Sequence, residues 1–251
     1  MNAVTKDFAT EQGHWYCPKT GEPRYTIVGK NGKERNTTIR DAREHGYVVS
    51  VTTILKQAAA PNLVNWFKEQ VAKAAYLQPP REGESEQDFI ARTLPLAEEV
   101  SRKARDRGTD IHGAIEKLDR HGPYAAHVDA AMSAVSEWAG LLDWAPERSF
   151  ASKLGYGGKI DLSGPGFVAD FKTTDKPLED LKLWPDHRRQ LAAYRMGLDM
   201  PDARCAIVYV RADVPQARVI EVTAEELEQG WREFLSLRDY YYFSNRLELP
   251  K

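Results

Sequence analysis

Two aspartates and a lysine stand at spacings that favour hydrolytic chemistry. The segment VADFKTT contains Asp170 and Lys172, and because side chains alternate faces along a strand, both project from one side. Ala169 and Phe171 then point to the opposite, core-facing side. Asp161 lies in the preceding segment, GGKIDLS, and a Gly-Pro-Gly turn separates the two segments. The spacing predicts that the two carboxylates and the ammonium come together in an otherwise apolar sheet.

Charged groups on such a face need compensation, because ionised side chains inside a sheet are costly unless they are paired or bind a cation. Two carboxylates with waters suit Mg²⁺ or Mn²⁺ better than zinc, which favours Cys and His ligands. The cation would lower the pKa of a water and stabilise charge on phosphate oxygens, with Lys172 orienting that water for attack on phosphorus. The alternative is a structural Asp–Lys pair on a sheet edge, because D-x-K also occurs by chance.

The motifs GGKIDL, VADFKTT and QLAAY occur in this order along the chain. Their order resembles the core motifs of RecB-like nucleases in the PD-(D/E)XK superfamily, of the phage-type and mitochondrial genome maintenance exonuclease kind. The resemblance implies that Asp161 and Asp170 bind one or two Mg²⁺ or Mn²⁺ ions. It also implies that Lys172 activates water and that Phe171 offers its backbone carbonyl to the metal. Asp170 stands where the family more often has Glu, which shortens the reach by one methylene.

Two of the motifs that carry the resemblance lie on predicted helices. Gln190 and Tyr194 are four residues apart and therefore share one helix face. In the family this face packs beside the catalytic sheet, where its polar groups touch the site or the DNA backbone. In RGTDIHGAIEKL, the resemblance makes His112 a metal ligand, with a preference for Mn²⁺. The alternative for all three is an ordinary half-buried or surface helix residue.

Four more polar residues are candidates at the rim of the site. Glu116 lies one helical turn after His112 and is either a partner of the metal ligands or a solvated residue. Glu147 opens the first strand of the predicted sheet, where family members often have a Glu. The SVTT motif, with Ser50 and Thr52 at a helix start, offers hydroxyl and N–H groups that would hold a DNA phosphate. An ordinary helix N-cap is the alternative there.

The elements that must position these residues follow from periodicity and turn signals. KNGK predicts a hairpin near residue 31, Pro61 a helix start, and residues 147–174 a three-stranded antiparallel meander. The predicted fold is α/β, a PD-(D/E)XK restriction-endonuclease-like core with a central mixed β-sheet flanked by helices. We expect residues 1–48 to be a β-rich N-terminal extension and 49–251 the nuclease domain. The helical N-terminal region at 50–142 would roof the sheet.

Composition is compatible with a nuclease and excludes several other classes. The 251 residues are 42% apolar and 29% charged, as in ordinary globular proteins. No apolar run approaches the roughly 20 residues that span a bilayer, and MNAVTKDFATEQGHWY has no apolar signal core. The net charge of −2 excludes a histone-like grip on nucleic acid, but not local steering of DNA. We therefore expect a cytoplasmic protein without membrane contact, acting in the host cytoplasm if phage-encoded.

The cysteine count restricts the possible cofactors. Cys17 and Cys205 lie far apart and match no disulfide or metal pattern. Some relatives carry an iron–sulfur cluster on four cysteines, which a chain with two cysteines does not support. The expected cofactor is therefore Mg²⁺ or Mn²⁺ alone.

The function predicted from these motifs is a metal-dependent exonuclease that hydrolyses DNA from its ends in recombination, repair or phage replication. No G-x-x-x-x-G-K-[ST] motif is present, which favours a stand-alone nuclease over a helicase-fused one. A recombination or single-strand-binding protein is an expected partner. One alternative is a structure-specific or restriction-like endonuclease of the same superfamily. Another is a non-catalytic DNA-binding accessory protein, against which the intact set of two aspartates and a lysine counts.

Overall fold

The strands and helices follow one another along the chain much as the sequence predicts. The structure, a computed structural model, describes residues 14–59, 61–140 and 145–250, without the side chains of residues 62, 63, 100, 101 and 103–105. Within these residues the strands are β1 (Trp15–Tyr16), β2 (Thr26–Val28), β3 (Glu34–Asn36), β4 (Val48–Ser50), β5 (Ala145–Ser152), β6 (Tyr156–Gly164), β7 (Phe167–Thr174), β8 (Arg204–Arg211) and β9 (Ala217–Val222). The helices are α1 (Ile39–His45), α2 (Val51–Leu55), α3 (Pro61–Leu77), α4 (Glu86–Glu116), α5 (Ala125–Ala139), α6 (Pro185–Gly197) and α7 (Ala224–Ser244), with a 3-10 turn at Leu178–Asp180.

A mixed sheet forms the centre of the molecule. Its strand order is β1-β4-β6-β7-β8-β9, and β5 also pairs with β6. The antiparallel pairing of β5 with β6 and of β6 with β7 confirms the predicted meander. β4 runs parallel to β6 and β7 parallel to β8, while β9 is antiparallel to β8. The coarse prediction of an α/β fold with a mixed central sheet is thus confirmed.

One edge of β6 is shared by two strands. Because β5 pairs along the other edge, β4 and β7 must both use this one. β4 pairs with Tyr156 and Gly157, and β7 pairs with residues 162–164. The intervening residues 158–161, here called the fork, pair with neither of these strands in the described ladders. The fork ends at Asp161.

Helices cover both faces of the sheet, and each face has its own apolar core. On one face α2, α6 and α7 bury Ile54, Leu191 and Phe234. On the other face the C-terminal end of α4 and α5 bury Ile111 and Val135 against β7 and β8. Burial of each such side chain away from water contributes about 1.5–3 kcal/mol to the free energy of folding. These two layers fix the helices that carry polar residues toward the fork.

The predicted helical roof is divided between different parts of the molecule. α2 packs with α6 and α7, and α5 packs on β8 and β9. α3 packs against α4 as a helical hairpin, whose connecting loop is tied by Arg92 Nε donating to Glu84 Oε1 at 2.7 Å. Residues 60, 141 and 142 of the predicted roof lie outside the described residues. No described helix is both long and apolar enough to cross a membrane.

The N-terminal segment shares the large sheet. The predicted hairpin is confirmed, since β2 pairs antiparallel with β3 in a small separate sheet. β1, however, pairs with β4, with Trp15 opposite Val49, and Trp15 is 1% exposed in the main core. The predicted domain boundary between residues 48 and 49 falls inside β4. Residues 1–13 of the predicted extension lie outside the described residues.

Candidate active site

A cavity of about 220 Å³ opens at the fork. Most of the predicted site residues line it, and they come from β4, α2, α4, β6, β7 and α6: Ser50, Thr52, His112, Asp161, Asp170, Lys172, Gln190 and Tyr194. Residues that the sequence analysis did not single out complete the lining: His14, Tyr16, Tyr25, Val51, Gly158 and Lys159. Glu116, Glu147 and Phe171 are not among the lining residues. Among the described residues of the predicted roof, Ser50 to Thr52 and His112 of α4 line this cavity.

Asp161 stands where the pairing of β6 with β7 ends. The last paired residues are Leu162 and Ala169, so beyond them the two strands separate. Asp161 Oδ2 accepts a hydrogen bond from the backbone N–H of Phe171 at 2.8 Å. The carboxylate thereby takes the place of the missing backbone acceptor and is held rigidly at the fork. The Phe171 side chain packs in the opposite core, as alternation predicts, and its carbonyl as a metal ligand stays a prediction.

Asp170 is a buried carboxylate with two different neighbours. Its side chain is 2% exposed, and Oδ1 accepts a hydrogen bond from Gln190 Nε2 at 2.9 Å. Oδ2 lies 2.5 Å from Lys172 Nζ, yet it accepts no hydrogen bond of normal geometry. Burial raises the pKa of Asp170 to about 6 against the attraction of Lys172, and the nearby charge of Asp161 adds to the rise. A buried acceptor of this kind has capacity for another ligand.

Lys172 is held in its charged form by the two aspartates. Burial disfavours the ammonium, but the charges of Asp170 and Asp161 outweigh it and raise the pKa of Lys172. The side chain is one third exposed, so the ammonium borders the cavity. Asp161, Asp170 and Lys172 all line one cavity, and Asp161 reaches it from the gap where β6 and β7 separate.

Gln190 and Tyr194 lie on one face of α6, as their spacing predicts. Gln190 Nε2 also lies 2.9 Å from the hydroxyl of Tyr194, so one amide joins the phenol to the Asp170 carboxylate. A Cβ at Gly158 would lie 2.9 Å from the Tyr194 ring. The absence of a side chain at Gly158 thus lets α6 approach β6 closely enough for this contact.

His112 contacts two carboxylates from different elements. Its Nε2 lies 3.0 Å from Glu116 Oε1 and 3.3 Å from Asp161 Oδ1. Burial disfavours the charged imidazole, but hydrogen bonds to Asp161 and Glu116 raise the pKa of His112 to about 10. The hydrogen bond from His112 lowers the pKa of Glu116 to about 2. Glu116, for which the sequence left two roles open, belongs to this cluster.

Glu147 contacts the cluster from β5. It forms an ion pair with Lys159 of β6, and its backbone has a φ of 55°, a left-handed conformation that is uncommon outside glycine. Pro146 pairs with Leu162, and Arg148 pairs with Ile160. Glu147 therefore faces Asp161 across the ladder.

Lys159 was missed by the sequence analysis, although a signal for it existed. Lys159 lies two residues before Asp161 in β6, so alternation places both side chains on the same face of the strand. Alternation in the segment HWY likewise places His14 and Tyr16 on one side of β1. In each case the local pattern was present, but only the sheet pairing shows which face meets the cavity.

Ser50 and Thr52 have local roles in the structure. Ser50 is the N-cap of α2 and accepts a hydrogen bond from the backbone N–H of Thr53 at 3.1 Å. The hydroxyls of Ser50 and Thr52 are 3.2 Å apart, and both residues line the cavity. The predicted N-cap is confirmed, and contact with a DNA phosphate stays a prediction.

Three arginines near the site pair with acidic residues of other elements. Arg188 and Arg189 both pair with Glu233 of α7, at 2.9 and 2.6 Å. Arg107 of α4 forms an ion pair with Asp175. These arginines therefore join elements of the fold.

The donor set fits a hard divalent cation. One ligand atom from each of His112, Glu116 and Asp161 lies within 4.8 Å of the others. Asp170 adds a buried oxygen that accepts no hydrogen bond, on the neighbouring strand. Carboxylate oxygens with one imidazole suit Mg²⁺ or Mn²⁺, and the lining residues include no thiol. Asp161, which contacts the histidine and lies beside Asp170, is the shared member of both groups.

Comparison with known proteins adds little beyond this geometry. No family model matches the chain, and no curated protein matches it. A solved structure described as "Crystal structure of SSO0001" is similar at 13% sequence identity, covering 75% of this chain and 97% of that chain, with a TM-score of 0.31. A likeness of this strength carries no argument about function, which therefore rests on the site.

Proposed function

We propose that this protein is a divalent-metal-dependent deoxyribonuclease with a PD-(D/E)XK core, which hydrolyses phosphodiester bonds from DNA ends. The observation that supports it is the meeting of Asp161, Asp170 and Lys172 at the fork, beside His112. Paired buried carboxylates with an ammonium are costly in a structural role. The same groups are useful where a cation, a phosphate and a water have to be brought together.

The carboxylates would hold one or two Mg²⁺ or Mn²⁺ ions. Asp161 and Asp170 would hold one ion. His112 and Glu116 would hold a second ion, with Asp161 as the ligand that both ions share. When bound, the cation would lower the pKa of a water and neutralise charge on the phosphate oxygens. His112 must give up its proton to act as a ligand, since a metal-binding imidazole is neutral.

Lys172 and Gln190 would position the other participants. Lys172 Nζ lies 2.5 Å from Asp170 Oδ2, so an attacking water beside that carboxylate is within reach of its N–H groups. Gln190 holds the other oxygen, Oδ1, in place. The ammonium thereby orients the water, while the amide keeps the carboxylate from rotating.

The substrate would be the sugar-phosphate backbone of DNA, bound with little sequence preference. The cavity of about 220 Å³ is smaller than the roughly 300–1,000 Å³ of drug-sized ligand sites. A site of this size would hold one phosphate at a time beside the carboxylates. Such an enzyme would act in the cytoplasm in recombination, repair or phage replication, with a recombination or single-strand-binding protein as partner.

The test is hydrolysis of end-labelled DNA with EDTA, Mg²⁺ and Mn²⁺ in parallel. We expect no cleavage in EDTA and recovery with either ion. Asp161→Asn and Lys172→Ala should lower the rate by roughly 10²–10⁴-fold, the usual contribution of such groups, while the unfolding transition persists. Lys153→Ala, at an exposed lysine outside the cavity, is the matched control. Full cleavage in EDTA, or normal cleavage by both folded variants, would rule out the proposal.

A further inference from the structure

Three aromatic side chains form one wall of the cavity at the fork. They are His14, Tyr16 and Tyr25, here called the aromatic wall. The rings of His14 and Tyr25 have centroids 4.6 Å apart at 37°, and Tyr16 meets Tyr25 edge-on at 5.9 Å. The hydroxyls of the two tyrosines are 2.9 Å apart. None of these residues has a role in the proposed hydrolysis.

The backbone holds the aromatic wall in a fixed position. The carbonyl of His14 accepts from the N–H of Ser50 at 2.8 Å, and its own N–H donates to Thr53 Oγ1 at 3.2 Å. The carbonyl of Tyr25 accepts from the N–H of Thr37 at 2.9 Å. A wall fixed in this way binds a flat group without losing much side-chain entropy on binding.

The aromatic wall lies directly against the strand that carries Asp161. A Cβ at Gly157 would lie 2.7 Å from Cβ of Tyr16, so Tyr16 packs on β6 four residues before the aspartate. Tyr16 is 2% exposed and supports the wall from behind. His14 and Tyr25 are half-buried, and both line the same cavity as Asp170 and Lys172.

We propose that His14 and Tyr25 form a stacking subsite for a nucleobase of the nucleotide that adjoins the scissile phosphate. Proteins bind single strands without sequence preference by stacking bases on aromatic side chains beside a backbone-binding groove. A base within a duplex has both faces covered by neighbours, so the subsite selects an unpaired strand end. This assignment rests on the proposed function, which supplies the phosphate site, and it adds the preference for single-stranded DNA.

The binding test uses short single-stranded oligonucleotides with 2-aminopurine at the 5′ or the 3′ terminal position. Binding is followed in EDTA by quenching of 2-aminopurine fluorescence, so that hydrolysis does not interfere. Tyr25→Ala and His14→Ala should each weaken binding by about 5- to 150-fold, as expected for loss of one base stack. Tyr25→Phe keeps the ring and should recover most of the loss. Tyr76→Ala, at a tyrosine that is 85% exposed on α3, is the control.

A second arm leaves the protein unchanged and removes the base. An oligonucleotide with an abasic terminal nucleotide should bind the wild-type protein as weakly as the intact one binds Tyr25→Ala, and combining the two changes should weaken binding no further. Equal affinity of abasic and intact oligonucleotides, or no quenching by the wild-type protein, overturns the subsite. Quenching without any Mg²⁺- or Mn²⁺-dependent hydrolysis would instead refute the nuclease and leave the subsite standing.

Discussion

At the scale of single residues, the site depends on a carboxylate that the protein interior disfavours. Asp170 is 2% exposed, and its pKa of about 6 reflects that burial. One carboxylate oxygen accepts a hydrogen bond from Gln190, and the other lies beside the ammonium of Lys172. A buried acceptor that loses its only hydrogen bond costs about 1–3 kcal/mol. Gln190 is therefore expected to matter for stability as well as for activity.

Replacing Gln190 should separate these contributions. Gln190→Leu keeps the volume but leaves Oδ1 of Asp170 without its donor, so we expect a loss of about 1–3 kcal/mol in the free energy of unfolding and a lower hydrolysis rate. Tyr194→Phe removes only the hydroxyl beside the amide and should have a smaller effect on both. Urea unfolding and rates on end-labelled DNA measure the two quantities. Gln190→Leu with unchanged stability and rate would show that Asp170 does not need this contact.

At the scale of secondary-structure elements, one glycine sets the approach of α4 to the sheet. A Cβ at Gly108 would lie 2.6 Å from the hydroxyl oxygen of Thr173 in β7 and 3.7 Å from its Cβ. Only the first distance is shorter than a normal contact. His112 follows one helical turn later, so this close approach brings its imidazole to Asp161.

Gly108→Ala should therefore lower stability by about 1–3 kcal/mol through overpacking and slow hydrolysis by displacing His112. The double variant Gly108→Ala with Thr173→Ala removes the clashing hydroxyl and should recover most of both losses. Gly113→Ala in the same helix meets nothing within 4 Å and should stabilise the protein by roughly 0.5–1 kcal/mol. The test compares the thermal unfolding temperature and the hydrolysis rate of wild type, Gly108→Ala, the double variant and Gly113→Ala. A double variant no better than Gly108→Ala would disprove the steric explanation.

Asp41 joins the β2–β3 hairpin to α1 and makes stability depend on acid pH. Arg35 Nη1 and Nη2 donate to its carboxylate at 2.6 and 2.7 Å, and the N–H of Thr38 completes a helix cap at 2.8 Å. The hydrogen bonds from Arg35, with those from Thr38, hold the pKa of Asp41 well below its usual range. A carboxylate with a depressed pKa in the folded state stabilises the fold at pH values above its unfolded-state pKa of about 3.9. That stabilisation is lost as the pH falls from there through the folded-state pKa.

Asp41→Asn should accordingly lower the Tm at pH 7, with a difference from wild type that shrinks as the pH falls below about 4. Asp129→Asn disrupts a solvent-exposed pair with Arg120, which contributes little, and is the matched control. Thermal unfolding between pH 7 and pH 3 measures both differences. A difference for Asp41→Asn that is independent of pH would mean that helix capping alone accounts for it.

Local sequence rules predicted the elements better than their assembly. The Asn-Gly hairpin, the helix at Pro61 and the shared face of Asp170 and Lys172 each depend on neighbours in the chain, and each is observed. The sharing of one edge of β6 by β4 and β7 depends on strands far apart in sequence, and no local pattern encodes it. The place of Glu116 in the cluster with His112 and Asp161, and of the aromatic wall in the cavity with Asp161, follows from that assembly and was therefore left open or missed.

At the scale of the whole molecule, the topology of the DNA is the test of end-directed action. Linear DNA should be shortened to mono- or short oligonucleotides, while covalently closed circles of the same sequence survive, because an end-directed nuclease requires a free strand end. Binding should weaken steeply with salt, since phosphate contacts release counterions. Rates on end-labelled linear and closed circular DNA at several salt concentrations measure both. Circles cut as fast as linear DNA would favour the endonuclease alternative.

The fork also has a consequence for how the chain folds. Pairing of β4 with β6 joins Val49 to Tyr156, whereas α3 and α4 are separated by one short loop. Closing long loops costs more chain entropy, and folds with many non-local contacts fold slowly. The helical hairpin is therefore expected to form early and the fork late. Asp161, His14 and Tyr25 come together only with that late pairing, so kinetic intermediates that retain the hairpin would lack a complete site.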